Sequence, residues 1–205
     1  MNRINKYKLI HQAVAPLDDS GHRESLIATF QTIGSDSPVI FHIACVHLKS
    51  KTHFANLRIN QGRRLLDFFE KYLHSFNKSH IERKNEVDPV FIVGDFNAET
   101  YEEVINIVSS WSPHCYGTGQ KLVSAYKRTN GGKEPEFTTW KIRKGPRSGD
   151  YNEAKHTIDY IWYLSPRAKL KGVFSIPSSE TIGHQALPSS SFPSDHMSLI
   201  ADFII

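Results

Sequence analysis

At 205 residues, with 39% hydrophobic and 22% charged side chains, the chain has the composition of a globular protein and the length to bury a core of its own. No apolar run approaches the roughly 20 residues of a membrane helix. The start, Met1 to Lys8, is too polar for a signal peptide, and two distant cysteines, Cys45 and Cys115, make no disulfide framework. The reading is a reducing, intracellular setting, cytoplasmic or mitochondrial; the net charge of +4 with 11 histidines suits a phosphate-bearing partner but is a weak signal alone, and solvated surface charge is the bland reading until a specific site is found.

Tyr7 to Gln12 reads as a short strand and Glu24 to Ile33 as a longer one, with Leu26, Ala28 and Phe30 on one face. Val39 to Leu48 is apolar and β-branched, and the turn residues from Gly34 to Pro38 predict that it pairs with its predecessor as a hairpin. From Phe54 to about Phe76, Leu57, Leu65, Leu66, Phe69, Tyr72 and Leu73 fall at helical spacing. That pattern assigns Arg58, Arg63, Arg64, Glu70 and Lys71 to the wet face, and Gly62 weakens the middle. His74 to Asp88 has no periodicity and reads as a surface loop.

Val90 to Val93 is a run without polar alternation, which predicts a strand covered on both faces. It stops at Asp95 and Asn97, which point to the same side if the extended geometry continues. Thr100 and Glu103 predict a capping box that opens a helix over Tyr101 to Val108. Beyond it, Trp111 to Gly119 reads as irregular and Thr129 to Gly132 as a turn. Phe137 to Arg143, His156 to Tyr163, Leu170 to Ile176 and His196 to Ile205 read as strands, with a break at Lys144 to Gly149 and a last loop from Pro177 to Pro193. No repeat or linker divides the chain, so the expectation is one α/β or α+β unit over residues 1–205.

Four apolar strands are flanked or interrupted by residues that chemistry uses: His47 with Lys49, Asp95 with Asn97, His156 with Asp159, and Asp195 with His196. One such Asp is more often a turn former and one such His a satisfied core or surface group, but the recurrence points to a site. Carboxylates and an Asn carbonyl are hard oxygen ligands suited to Mg²⁺ or Mn²⁺, and no compact Cys/His cluster argues for zinc. Asp159 lies in an apolar segment, where an unpaired carboxylate would cost several kcal/mol, on the order of its desolvation penalty. A pairing with His196 would remove that cost. Lys49 and Lys51 share a side with His47, and Lys141 and Arg143 repeat that spacing around Trp140, whose ring is a candidate for stacking a base. The bland alternative is an exposed basic edge. Cys45 reads as a small core residue.

Gly94-Asp-Phe-Asn97, His156-Thr-Ile-Asp159 and Ser194-Asp-His196, in this order, resemble the endonuclease/exonuclease/phosphatase superfamily with its DNase I-like fold. Within it, His47-Leu-Lys49, Gln61-Gly62, Thr138 to Arg143, His156 to Tyr163, Ile182-Gly183, Leu187-Pro-Ser189 and Pro193 to His196 are most similar to the nocturnin group, relatives of the deadenylases. The resemblance implies a four-layered α/β sandwich of two mixed sheets, of which this chain is the C-terminal half to two-thirds, the N-terminal part with the main metal-binding Glu being absent. It further implies that Asp95 and Asn97 orient the water and the scissile phosphate, and that His196 contacts the phosphoryl group with Asp159 as its partner. His47 would bind phosphate, and Asp195 would lie near the metal. Lys51 stands where the group carries Arg, a point charge in place of a planar fork. The implied activity is Mg²⁺-dependent removal of the 2′-phosphate of NADP(H), with 3′ to 5′ degradation of poly(A) RNA as the alternative. A third reading, from another class, is a phosphate- or RNA-binding module without turnover.

Overall fold

The computed structural model describes residues 6–34, 36–80, 87–144, 151–164 and 167–205. Six strands form one mixed sheet: β1 (Tyr7–Pro16), β2 (Glu24–Thr32), β3 (Ile40–His47), β4 (Val90–Asp95), β5 (Val123–Ser124) and β8 (Asp159–Leu164). Their order across the sheet is β1-β2-β3-β4-β8-β5. β1, β2 and β3 pair antiparallel, as the hairpin reading requires, whereas β3 and β4 are parallel. The parallel pair needs a crossover, and helix α1 (Ala55–Ser79) supplies it.

Period-2 alternation decides which side of the sheet each residue occupies. Ala44, Val46 and Leu48 from β3 and its end, Val90 and Ile92 from β4, and Tyr160, Trp162 and Leu164 from β8 face the helices. Leu65, Phe69 and Leu73 of α1 and Val104 and Val108 of α2 (Glu103–Ser110) meet them there. Each such side chain, fully buried, contributes about 1.5–3 kcal/mol. Gly62 has a packing reason: a Cβ on it would lie 2.6 Å from Val104 Cγ2, so the glycine is what lets α1 and α2 approach. The apolar stripe of α1 continues to buried Phe76, so the helix runs into the stretch that polarity marked as a loop; residues 81–86 of that loop lie outside the described residues.

On the opposite side Phe41, Phe91, Ile43, Val93 and Tyr163 pack against Phe203 and Ile205. Phe203 belongs to a two-stranded antiparallel ribbon, β9 (Lys169–Val173) with β10 (Ala201–Ile204). Among the described residues this ribbon is the layer that faces the sheet here, and it covers part of the face. Val14 and Leu26 remain 51% and 50% exposed. Cys45, expected in the core, is exposed because it shares the open-face side of β3 with Ile43 and His47.

Three further expectations are corrected. The capping box does not form: α2 begins at Glu103, and Glu102 sends its carboxylate to Arg58, a stronger charge-assisted bond, while also accepting the N–H of Glu99. The segment His156 to Tyr163 is split at Thr157-Ile158 into the end of β7 (Tyr151–His156) and the start of β8, which lie in different sheets; β7 pairs with β6 (Thr139–Lys144). The C-terminal strand is confined to Ala201–Ile204, and His196 instead makes an isolated antiparallel bridge with Thr139. Two short helices, α3 (Ala125–Thr129) and α4 (Ser179–Ile182), fall in stretches too brief to show a period, while most of the predicted break at 144–149 lies outside the described residues.

Candidate active site

Parallel β3 and β4 end at the same edge of the sheet, and antiparallel β8 starts there. The register therefore sets His47 opposite Asp95 and Asp95 opposite Asp159, one row across three strands. Phe91, Val93 and Asp95 share a face of β4 by alternation, as do Tyr163, Ile161 and Asp159 on β8, so both acids stand on the partly open face at the rim of its apolar floor.

Asp95 and Asn97 meet by a turn, not by continued extension. Asn97 has φ 48°, and its backbone N–H and side-chain Nδ2 donate to the two oxygens of Asp95 at 2.7 and 3.1 Å. Nδ2 also donates to the Leu48 carbonyl at 3.1 Å, which ties the ends of β3 and β4 together. His47 Nε2 lies 3.6 Å from Asp95 Oδ2. The carboxyl of Asp95 titrates above its ordinary value because burial disfavours the charge and Asp159 adds like-charge repulsion.

The expected Asp159–His196 pair is present. His196 Nδ1 donates to Asp159 Oδ2 at 2.9 Å, and Thr138 Oγ1 donates to the same oxygen at 2.6 Å. The hydrogen bond to Asp159 raises the His196 pKa above the usual imidazole value, against the opposing effect of burial. A raised imidazole pKa stabilises the fold below the unfolded value near 6.5, and that contribution is lost as pH rises through the folded value. Asp159→Asn should therefore move the His196 titration, followed by NMR of the ring protons, downward, and should shrink the stability difference between pH 5.5 and pH 8.5. An unmoved His196 titration would refute the pair's electrostatic role.

Asp95, Asp159 and His196 offer ligand atoms that all lie within 4.8 Å of one another. Two mutually repelling carboxylates with an imidazole beside them suit a hard divalent cation, so the donor set fits one, with Asp95 and Asp159 as the residues to hold it. Asp195 is outside this group. Its half-exposed carboxylate pairs with Lys141 Nζ at 2.8 Å, and that bond holds its pKa below the ordinary value. What Asp195 gives the site is its backbone carbonyl, which accepts from Thr139 Oγ1 at 2.6 Å and so anchors the residue next to His196.

No protein-family model matches the chain. Human nocturnin is 35% identical over 202 residues, 97% of this chain and 42% of that protein. Nocturnin of Xenopus laevis is 38% identical over 78% of this chain and 36% of its own length. By sequence, the chain is similar to the nocturnins. More distantly, the CCR4-Not complex 3′-5′-exoribonuclease subunit Ccr4 of Yarrowia lipolytica is 25% identical over 87% of the chain and 28% of that protein. The chain spans about two fifths of the length of the nocturnins it matches. Among solved structures, the human nocturnin catalytic domain with bound sulfate superposes with a TM-score of 0.65 at 26% identity, covering 98% of this chain and 60% of that one. An endonuclease/exonuclease/phosphatase from Bacteroides vulgatus, 15% identical, shares the fold with a TM-score of 0.59 over 99% of this chain and 68% of its own.

The basic residues divide. Lys49 and Lys51 follow His47 along the chain past the end of β3, with the Lys49 ammonium 4.8 Å from the centre of the Phe54 ring. Trp140 is not available to a base: it is 5% exposed, its Nε1 donates to Glu153 at 2.8 Å, and Lys155 Nζ sits 4.5 Å over its ring. Arg143 is exposed near the far end of β6, opposite Asn152, several residues from the bridge that carries His196. Glu99 was missed. One of its oxygens bonds His156 Nδ1 and the other accepts the Thr157 N–H, joining the loop after β4 to the start of β8. The signal was there, a Glu two residues past Asn97 and a His three before Asp159, but only the fold brings them together.

Proposed function

We propose that this chain carries the water-activating and phosphate-facing part of a divalent-metal-dependent phosphoester hydrolase. The row His47–Asp95–Asp159, with His196 bonded to Asp159, carries that reading. A bound Mg²⁺, or Mn²⁺ in its place, would polarise a phosphoryl oxygen and stabilise the charge that develops on it. Asp95, fixed from two directions by Asn97, orients the attacking water beside the metal and accepts its proton. Asn97 has its amide N–H₂ committed to Asp95 and Leu48, so it acts on the nucleophile through Asp95. His196, held by Nδ1 and with its cationic form favoured by Asp159, leaves Nε2 to hydrogen-bond the phosphoryl group and to donate a proton to the departing alkoxide. His47, Lys49 and Lys51 face the remaining phosphate charge. The sulfate in the human nocturnin domain is consistent with a tetrahedral anion as ligand.

The substrate we favour is the 2′-phosphate of NADP(H). The likeness to Ccr4, by name a 3′-5′-exoribonuclease, supports poly(A) RNA as the second reading. Incubating the protein with NADPH and with oligo(A) under Mg²⁺ separates them: phosphate release from the dinucleotide with intact RNA is the expected result. Shortening of the RNA without phosphate release would reverse the order, and turnover of neither would leave a binding module.

A further inference from the structure

The loop Leu48 to Lys51 makes its backbone hydrogen bonds mainly with side chains. The Leu48 carbonyl accepts from Asn97, and the Lys49 N–H donates to Gln61 Oε1 at 2.9 Å. The carbonyls of Lys49 and Lys51 accept from Arg58 Nη1 at 3.1 and 2.7 Å. Arg58 and Gln61, one turn apart on α1, are 1% and 0% exposed. The rest of the guanidinium, Nε and Nη2, donates to Glu102 Oε2, and the other oxygen of Glu102 accepts the N–H of Glu99. Arg58 thus joins the loop after β3 to the loop after β4, and Gln61 adds a second hold on the first of them.

The clamp holds a strained shape. Lys51 has φ 79°, a conformation that side-chain-bearing residues rarely adopt, and its carbonyl faces Arg58 in that state. Only a planar fork reaches two carbonyls and a carboxylate at once; a lysine ammonium at the same place would satisfy fewer of them. The side chains displayed on the strained loop are cationic. Neither Lys49 nor Lys51 has a carboxylate partner among the described residues, and Lys49 rests against Phe54.

We propose that Arg58, assisted by Gln61, is a positioning residue for substrate phosphate: it fixes the Lys49–Lys51 backbone so that both ammonium groups stand beside His47 toward the anion. It touches no reacting atom. The inference rests on the reading of the site as a phosphoesterase, and its test includes a measurement that does not.

In the full chain, Arg58→Lys keeps the charge and removes the fork. Amide hydrogen exchange at Lys49 and at Phe54, whose N–H donates to the Lys51 carbonyl, should rise, and affinity for adenosine 2′-phosphate, titrated by NMR at fixed ionic strength, should fall on the order of tenfold. Lys49→Ala should weaken binding similarly, and the double variant should bind no more weakly than Arg58→Lys alone, because a misplaced lysine has nothing left to lose. Gln61→Ala, a milder change should Arg58→Lys fail to fold, should shift both readouts in the same direction by less. Faster exchange with unchanged affinity in either variant would overturn the positioning role and leave the phosphoesterase reading standing. Absence of binding to the unmodified chain would overturn both.

Discussion

Gly94→Ala is expected to abolish the native fold. A Cβ at Gly94 would lie 2.0 Å from the Val46 carbonyl oxygen, a backbone atom on the parallel neighbour that cannot swing aside. The residue also sits at φ 137°, where a side chain is strained whatever the space. Relief means prising β3 from β4 in the middle of the sheet, at a cost of about 5 kcal/mol or more, comparable to the whole stability of a small domain. Soluble yield and the circular-dichroism melt measure it; a Tm within about 5 °C of the parent would show that the strands part cheaply. The glycine thus lets β3 and β4 lie close enough for His47 and Asp95 to be neighbours.

Asp95→Asn should lower kcat about a thousandfold, within the range that a positioned acid or base contributes, in the full-length protein with whichever phosphate ester it accepts. Stability should move the other way. Burial and Asp159 raise the Asp95 pKa, so the ionised carboxylate is held less well in the folded chain than in the unfolded one. Above the ordinary value of 3.8 that difference opposes folding, and it grows until pH passes the folded value. A neutral amide removes the charge and keeps an oxygen to accept the Asn97 N–H, so Tm at pH 7 should stay level or rise. Activity lost together with a large fall in Tm would assign Asp95 to structure; activity retained would remove it from catalysis.

The candidate site was largely legible as polar residues at the ends of apolar strands. Asp95 and Asp159 could be singled out because a carboxylate beside a covered strand needs a reason, and the need of Asp159 for a partner led to His196. Arg58 was not legible. A helical pattern assigns charge to the wet side, but the first turns of α1 face the site loops, where unpaired backbone carbonyls make a guanidinium welcome. Trp140 was misjudged for a related reason. Its N–H and its ring are taken by Glu153 and Lys155 of β7, and β7, Tyr151-Asn-Glu-Ala-Lys-His156, has no apolar alternation to announce it. The Asp95–Asn97 juxtaposition was correct in outcome, but a left-handed Asn97 produces it, which residue spacing alone does not encode.

Because His47, Asp95 and Asp159 form one row across three strands, the site should tolerate exchange of side chains along those strands better than any change in their length. Deleting a single residue from Ile43–Val46 or from Tyr160–Tyr163 would turn His47 or Asp159 from the open face into the packed one and would turn every apolar neighbour the opposite way. Deleting two would restore the facing and cost only a step of height. Along β3, β4 and β8, natural variants that keep this chemistry should therefore differ by substitutions or by even-numbered gaps.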